Sequence, residues 1–103
     1  MAIASLPFAP EIVIPTVEHF NNAYPQLRGK YGLTCSLNPT FQDGSKREQG
    51  WVSEFYYGIN VGPNVIMIEN FRSGLIWQLM QQCPYVVDGL RRAGFTGGWL
   101  DTT

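Results

Sequence analysis

The stretch from Phe55 to Val87 constrains the fold more than any other part of this chain, because its only charged residues are Glu69 and Arg72. Charged residues make up 15% of the 103-residue chain, against about 25% in a typical soluble domain. A small domain has much surface per residue and usually covers it with charge. We therefore infer that protein outside this chain normally covers part of this surface.

The apolar residues of this stretch predict a helix from Pro63 to about Gln82, with Gly62 as its N-cap and Pro63 as its first residue. At about 100° per residue, one broad apolar stripe contains Val65, Ile68, Leu75, Ile76, Leu79 and Met80. Other apolar side chains spread over most of the remaining surface. A helix that is apolar nearly all round is usually enclosed on several sides.

Glu69 and Arg72 project from that stripe three residues apart, a spacing at which side chains on a helix face each other. One interpretation is a buried ion pair that fixes how the helix sits against its neighbours. The other is a pair that lines a polar cavity. In both, the nearby cation lowers the pKa of the Glu69 carboxyl. Glu69 is therefore expected to act as a base, a hydrogen-bond acceptor or a structural anion rather than as a proton donor.

Two further helices are predicted, the first from Pro10 to Ala23. Glu11 lies near its amino end, where the helix dipole favours an anion. Pro15 leaves a start near Ile14 as an alternative. The apolar residues that recur at helical spacing are Ile12, Val13, Val17 and Phe20.

The last helix is predicted from Pro84 to Ala93, with Gly94 as a left-handed stop. The long stretch from Tyr24 to Gly62 has weak periodicity and is expected to be a functional loop, because structureless segments of this length are uncommon in compact domains. Its residues 42–50, QDGSKREQG, are expected to form an exposed polar tip.

Composition excludes several classes of function. The net charge is −1 with seven Lys and Arg, too few to follow a phosphate backbone, so no nucleic-acid partner is expected. No apolar run reaches the roughly 18 residues that span a bilayer, so no membrane partner is expected. The opening MAIASLPFAP lacks a basic region and is broken by prolines, unlike a signal peptide.

Cysteine and histidine are too few for most metal sites and catalytic triads. The two cysteines and single histidine exclude a zinc site of the CxxC type, and neither a metal nor another cofactor is expected. Cys35 and Cys83 are interpreted either as a disulfide of an exported protein or as two buried thiols that behave as small hydrophobes.

Four segments occur in the order and spacing of a known family: SLPFAPEI at 5–12, YGLTCSLNPTF at 31–41, GWVSEFYYGINVGPNVIMIENFRSGLIWQLM at 50–80 and PYVVDGLRRAGF at 84–95. Together they resemble the carboxyl-terminal part of the glucoamylase-like domain, a group that includes bacterial β-1,2-glucanases and cyclic-glucan-processing domains. The resemblance covers residues 4–100, so the whole chain, 1–103, is interpreted as a carboxyl-terminal fragment of that domain.

The resemblance implies an all-α fold: the last helices of an (α/α)6 toroid, present as about three helices with one long loop beside the sugar cleft. It implies an oligosaccharide or β-glucan as the partner of the complete domain. Members of the family are often periplasmic or secreted, and the sequence leaves the compartment of this chain open.

Two positions depart from the family pattern. Asn60 stands where an aspartate is expected in the GI-Asp-x-GP motif, and Cys35 stands where an aspartate is expected in the segment that begins with Tyr31 and Gly32. Each change removes a carboxylate, so the family pattern assigns no catalytic role to either position here.

Glycoside hydrolysis needs two carboxyl groups that face each other across one bond. The catalytic candidates are Glu11, Glu54 and Glu69, each with a structural alternative. The remaining acidic residues are expected in solvent or at structural positions: Glu18, Asp43, Glu48, Asp88 and Asp101.

Sugar-binding candidates come from the same part of the chain. Trp51 and Tyr57 offer aromatic faces that stack on sugar rings, although such rings also pack loops onto helices. Asn60 and Arg72 offer hydrogen-bonding groups.

Three interpretations of the whole chain compete. It forms one wall of a β-glucan site and is inactive alone, or it is a free-standing module that oligomerises through the apolar helix 63–82, or it is a small active enzyme. The third is the weakest, because three helices make a poor cleft. The isolated chain is expected to self-associate through exposed apolar surface.

Overall fold

The computed structural model describes residues 2–41 and 50–102. Within them lie four α-helices: α1 (Pro10–Ala23), α2 (Gly58–Ser73), α3 (Leu75–Gln81) and α4 (Pro84–Arg92). The strands have two residues each: β1 (Arg28–Gly29), β2 (Gly32–Leu33), β3 (Leu37–Asn38) and β4 (Trp51–Val52). Single 3₁₀ turns cover Ala2–Ser5, Pro25–Leu27 and Gly98–Asp101. The described chain is mostly helical, which confirms the predicted all-α class.

The chain divides into two compact units, residues 1–68 and residues 69–103. In the first unit, the buried apolar side chains are Val13 of α1, Leu27 and Val52. In the second unit, they are Val87 of α4 and Leu100. These cores are small, because many large apolar side chains of the chain lie at its surface.

Helix α1 has the predicted bounds, Pro10–Ala23. The Ala9 carbonyl accepts hydrogen bonds from the N–H groups of Ile12 and Val13, both at 3.0 Å, so the helix is established before Pro15. A proline inside a helix removes a single intrahelical donor. The alternative start near Ile14 is therefore wrong.

The described part of the stretch from Tyr24 to Gly62 contains two short antiparallel ladders, which the predicted loop did not include. β1 pairs with β2, and β3 pairs with β4 with Leu37 opposite Val52. Gly50 is buried beside the second ladder at φ 84°, where an added Cβ would lie 2.4 Å from the Asn38 carbonyl oxygen. The predicted polar tip falls on residues 42–49, outside the described residues, and on Gly50.

Helix α2 begins at Gly58, five residues before the predicted start at Pro63. The Tyr57 carbonyl accepts hydrogen bonds from the N–H groups of Asn60 and Val61, both at 3.0 Å. Pro63 lies inside the helix. The residue before a proline normally avoids helical geometry because its Cβ meets the proline ring, and Gly62 has no Cβ. The extra amino-terminal turn is therefore sterically accessible.

The predicted continuous helix to Gln82 is also wrong, because Gly74 separates α2 from α3. Gly74 takes φ 70° and ψ 9°, a left-handed conformation that favours glycine. Its N–H closes α2 on the Asn70 carbonyl at 2.9 Å, and its own carbonyl accepts the N–H of Gln78 at 2.9 Å. A single glycine thus ends one helix and starts the next.

Helix α4 ends as predicted at a left-handed glycine. Gly94, at φ 86°, donates to the Arg91 carbonyl at 3.0 Å, and Phe95 donates to the Leu90 carbonyl at 3.0 Å. This pair of bonds is the Schellman arrangement that satisfies the last carbonyls of a helix. The Arg91 guanidinium also donates from Nη2 to the Leu100 carbonyl at 3.0 Å.

Cys35 and Cys83 are both free thiols and half-buried, so the disulfide interpretation is wrong for this structure.

Within the part of the chain that the structure describes, no helix is both long and apolar enough to cross a membrane.

Candidate functional site

The Glu69 carboxylate lies at the centre of a hydrogen-bonded cluster near the carboxyl end of α2. Arg72 reaches it with two donors, Nε to Oε2 at 3.0 Å and Nη2 to Oε1 at 2.9 Å. The Ser73 hydroxyl donates to Oε1 at 2.6 Å and itself accepts the N–H of Leu75 at 3.2 Å. The predicted pairing of Glu69 with Arg72 is thus confirmed, in a bidentate geometry that is stronger and more directional than a single contact.

These hydrogen bonds hold the pKa of the Glu69 carboxyl below its usual value of 4.5. The bonds from Arg72 have the largest effect, and the bond from Ser73 has the next largest. The hydrogen bonds with Glu69, together with its negative charge, raise the pKa of the Arg72 guanidinium. Glu69 is consequently an anion at neutral pH. It can accept a hydrogen bond or a proton, and it is a poor proton donor.

The predicted burial of this pair is wrong for this chain, since Arg72 exposes 73% of its side chain and Glu69 exposes 27%. The spacing of two residues on a helix determines whether they face each other. It does not determine what lies over them, which depends on packing between distant parts of the sequence.

Three of the other predicted site residues lie in or beside the segment that joins β4 to α2. Trp51 is half-buried in β4, where it pairs with Asn38. Tyr57 is 48% exposed immediately before α2, and its ring centroid lies 6.2 Å from that of Phe55. Glu54 is exposed between them. The segment therefore presents the rings of Phe55 and Tyr57 and the carboxylate of Glu54 to solvent.

Asn60 lies in the first turn of α2, where its N–H bonds to Tyr57, and it is half-buried. Glu11 lies in the first turn of α1 and is exposed. These two residues and the aromatic segment belong to the first unit, whereas Glu69 and Arg72 belong to the second. Two acidic residues that were set aside, Asp43 and Glu48, lie outside the described residues.

Cys35 stands at the position where the resemblance predicts an aspartate. Its thiol donates to the Ser53 hydroxyl at 3.0 Å and lies 3.5 Å from the Ser36 hydroxyl. Hydrogen bonds with Ser36 and with Ser53 lower the pKa of Cys35. The contact with Ser53 forms because the pairing of β3 with β4 places residues 35 and 53, which are distant in sequence, next to each other.

The first unit contains an open cavity of about 510 Å³ next to Cys35. Its apolar wall comes from Phe20, Tyr24, Leu33 and Leu37, and His19 also lines it. None of the predicted site residues is among the described residues that line this cavity.

No group of three or more His, Cys, Asp and Glu among the residues described could hold a metal ion.

Sequence reasoning did not identify Ser73 as a partner of Glu69. Two signals were present: Ser73 lies four residues after Glu69, on the same helix face, and it precedes Gly74 in a Ser-Gly dipeptide typical of turns. Ser53 was missed because its contact with Cys35 is between residues far apart in the sequence.

Comparisons with known proteins place these observations in a family. The glycoamylase family model, described as "Putative glucoamylase", matches residues 1–84. An exo β-1,2-glucooligosaccharide sophorohydrolase (non-reducing end) of Parabacteroides distasonis is 32% identical over 92 residues, which cover 88% of this chain and 12% of that protein. A crystal structure of a "putative glucoamylase" from Bacteroides uniformis matches with a TM-score of 0.78 and 37% identity over 96% of this chain and 22% of that one.

Proposed function

This chain belongs to the glycoamylase family, and on that premise we propose that it forms one segment of a glycoside hydrolase domain that acts on β-glucan. The observation that carries the proposal is the 37% identity at a TM-score of 0.78 over 96% of the chain. Because the chain spans 12% of the curated relative and 22% of the solved one, the active site is completed by polypeptide outside it.

The substrate class follows from the Parabacteroides relative, whose name specifies β-1,2-glucooligosaccharides. In this chain, Trp51 and Tyr57 stack on sugar rings, and Asn60 and Arg72 hydrogen-bond sugar hydroxyls. This assignment is supported by the exposure of Tyr57 and by the exposed guanidinium of Arg72. It gives the chain the role of one wall of the sugar cleft.

The chain is inactive alone under this proposal. An acid and a base must face each other across the scissile bond, and Glu69 is held as an anion by Arg72 and Ser73. Glu69 therefore serves as a base or as an acceptor for a sugar hydroxyl. Glu11 and Glu54 are exposed and remain the other two candidates.

The test is a chimera in which this chain replaces the matching segment of the Parabacteroides enzyme. Hydrolysis of β-1,2-glucooligosaccharides is measured against the same enzyme with the segment deleted. The proposal expects hydrolysis by the chimera and none by the deletion. A chimera that folds like its parent, by circular dichroism and native mass, but does not hydrolyse the substrate would contradict it.

Within an active chimera, single variants assign the roles. Loss of a general acid or base lowers the rate by about 10²–10⁴-fold, so Glu11→Gln, Glu54→Gln and Glu69→Gln separate catalytic from structural carboxylates. Tyr57→Ala is expected to raise KM, while Tyr57→Phe, which keeps the ring, is expected to leave it nearly unchanged.

A second candidate function is a helical interaction module that oligomerises through residues 63–82 without catalysis. The observation that favours it is the exposure of apolar side chains along α2 and α3: Val65, Ile66, Ile68, Phe71, Leu75, Leu79 and Met80. Hydrolysis by the chimera at the level of its parent would argue against this alternative as the main role.

A further inference from the structure

The turn of the β1–β2 hairpin carries an aromatic residue, Tyr31, that is not among the predicted site residues. Gly29 pairs with Gly32, so Lys30 and Tyr31 form the two-residue turn between the strands. Gly32 takes φ 99°, and all residues of the described chain with positive φ are glycines. The left-handed conformation of Gly32 closes the turn, and the turn residue Tyr31 is 73% exposed.

Tyr31 is exposed, and its ring packs against the ring of Tyr56. Its ring centroid lies 5.5 Å from that of Tyr56, with the two ring planes at 82°, the edge-to-face geometry that aromatic pairs prefer. Its backbone N–H lies 3.4 Å from the Tyr56 hydroxyl, which in turn donates to the Gly32 carbonyl at 3.4 Å. Both partners of the ring pair are thus tied to the same turn.

Gly29 makes this arrangement sterically accessible. A Cβ at position 29 would lie 1.9 Å from the Tyr56 hydroxyl oxygen, so any other residue there would displace Tyr56 from its present position. Lys30 completes the surface, with its ammonium 5.1 Å from the centroid of the Tyr31 ring. An ammonium over the ring places hydrogen-bond donors at the aromatic surface.

An exposed aromatic ring that packs against a second ring suits the apolar face of a sugar ring, because the contact lowers the conformational entropy that Tyr31 loses on binding. We propose that Tyr31, held by Tyr56 and Gly29, is a stacking platform for a glucose unit of β-glucan, distinct from Trp51 and Tyr57. This inference rests on the proposed function, which supplies the substrate class. It adds a subsite at the hairpin tip of the first unit.

The experiment uses the 103-residue chain and β-1,2-linked glucotetraose in saturation-transfer difference NMR, which observes the ligand and tolerates self-association of the protein. The wild-type chain is expected to bind. Tyr31→Ala is expected to weaken binding about tenfold, while Tyr31→Phe, which keeps the ring, stays within about twofold of wild type. Tyr85→Ala is the matched control, because Tyr85 is 89% exposed and lies in the second unit.

A second measurement needs no variant: the amide signals of residues 30–32 are expected to shift when the tetrasaccharide is added to the wild-type chain. Absence of binding by the wild-type chain at millimolar ligand would overturn the platform, and so would unchanged affinity in a folded Tyr31→Ala chain. Either result leaves the chimera assay to decide the proposed function on its own, so the two failures are distinguishable.

Discussion

A hydrogen bond between Asn70 in α2 and Trp77 in α3 joins the two helices across the Gly74 junction. The side-chain oxygen of Asn70 accepts the backbone N–H of Trp77 at 3.0 Å, and Asn70 is 5% exposed. Gly74 is the N-cap of α3 and has no side chain with which to cap it. Asn70 therefore supplies, from the previous helix, the acceptor that an N-cap side chain normally provides to the third residue of a helix.

Replacement of Asn70 by alanine should destabilise the chain by about 1–2 kcal/mol, because the backbone N–H of Trp77 loses this acceptor in a partly buried site. Urea unfolding followed by tryptophan fluorescence would measure the change. Gln78→Ala, on the exposed surface of α3, is the control and should change stability by less than about 0.5 kcal/mol. Equal stability of Asn70→Ala and wild type would show that the cap contributes nothing.

Gly74→Ala should cost about 1–2 kcal/mol, because its φ of 70° is unfavourable for a residue with a Cβ. Gly89 provides a matched comparison inside α4, where an added Cβ meets nothing within 4 Å. Gly89→Ala should stabilise the chain by about 0.5–1 kcal/mol, since alanine is the better helix former. Thermal unfolding of the two variants should therefore move in opposite directions, and the prediction fails if both move the same way.

The pKa of Glu69 should rise when its donors are removed, and Arg72→Gln should raise it more than Ser73→Ala, because the Arg72 hydrogen bonds are the largest cause of the lowered value. NMR titration of the side-chain carboxyl carbon would measure it. A larger rise in Ser73→Ala than in Arg72→Gln would contradict the order.

The same lowered pKa determines how stability depends on pH. A carboxyl whose pKa is lower in the folded than in the unfolded chain contributes stability above the unfolded value, and that contribution is lost as pH falls through the folded pKa. The melting temperature of wild type relative to Glu69→Gln should therefore be constant above pH 4.5 and decline below it. A constant difference at all pH values would rule this out.

Glu69→Gln in an active chimera distinguishes the two interpretations of the ion pair. If the pair is structural, melting temperature and hydrolysis should fall together, because the variant weakens the bidentate contact with Arg72. If Glu69 contacts sugar, hydrolysis should fall at nearly unchanged melting temperature. Activity and thermal unfolding are measured on the same preparations, and a variant unchanged in both would remove Glu69 from the site.

The isolated chain should self-associate through α2 and α3, because Val65 exposes 63% and Leu79 exposes 55% of their surface. Sedimentation velocity should detect species larger than a monomer. Val65→Ser and Leu79→Ser should shift the distribution towards monomer. Tyr85→Ser, which removes a more exposed aromatic residue outside these helices, should not. A monomeric wild-type chain with a sharp thermal transition would refute the prediction.

Local signals in the sequence were sufficient for α1 and α4. Pro10 and Pro84 mark first helical residues, and Gly94 stops α4 because it alone can take the left-handed conformation there. The pairing of Glu69 with Arg72 also followed from spacing, since residues three apart share a helix face. The four motifs at 5–12, 31–41, 50–80 and 84–95 were sufficient to indicate the family.

Tertiary structure decided what local signals left open. Pro63 by itself predicts a helix start, yet Gly62 lets the helix extend back to Gly58. Gly74 divides a run of apolar residues whose periodicity continues on both sides of it. The contact of Cys35 with Ser53 and the docking of Tyr56 on Gly29 join residues distant in sequence. The exposure of the Glu69–Arg72 pair likewise depends on packing between segments distant in sequence. The sequence by itself determined which side chains can face each other along one element, because that geometry is set by the helical repeat. Which elements meet, and which side chains are covered, was decided by packing between distant segments, because that depends on the whole chain at once.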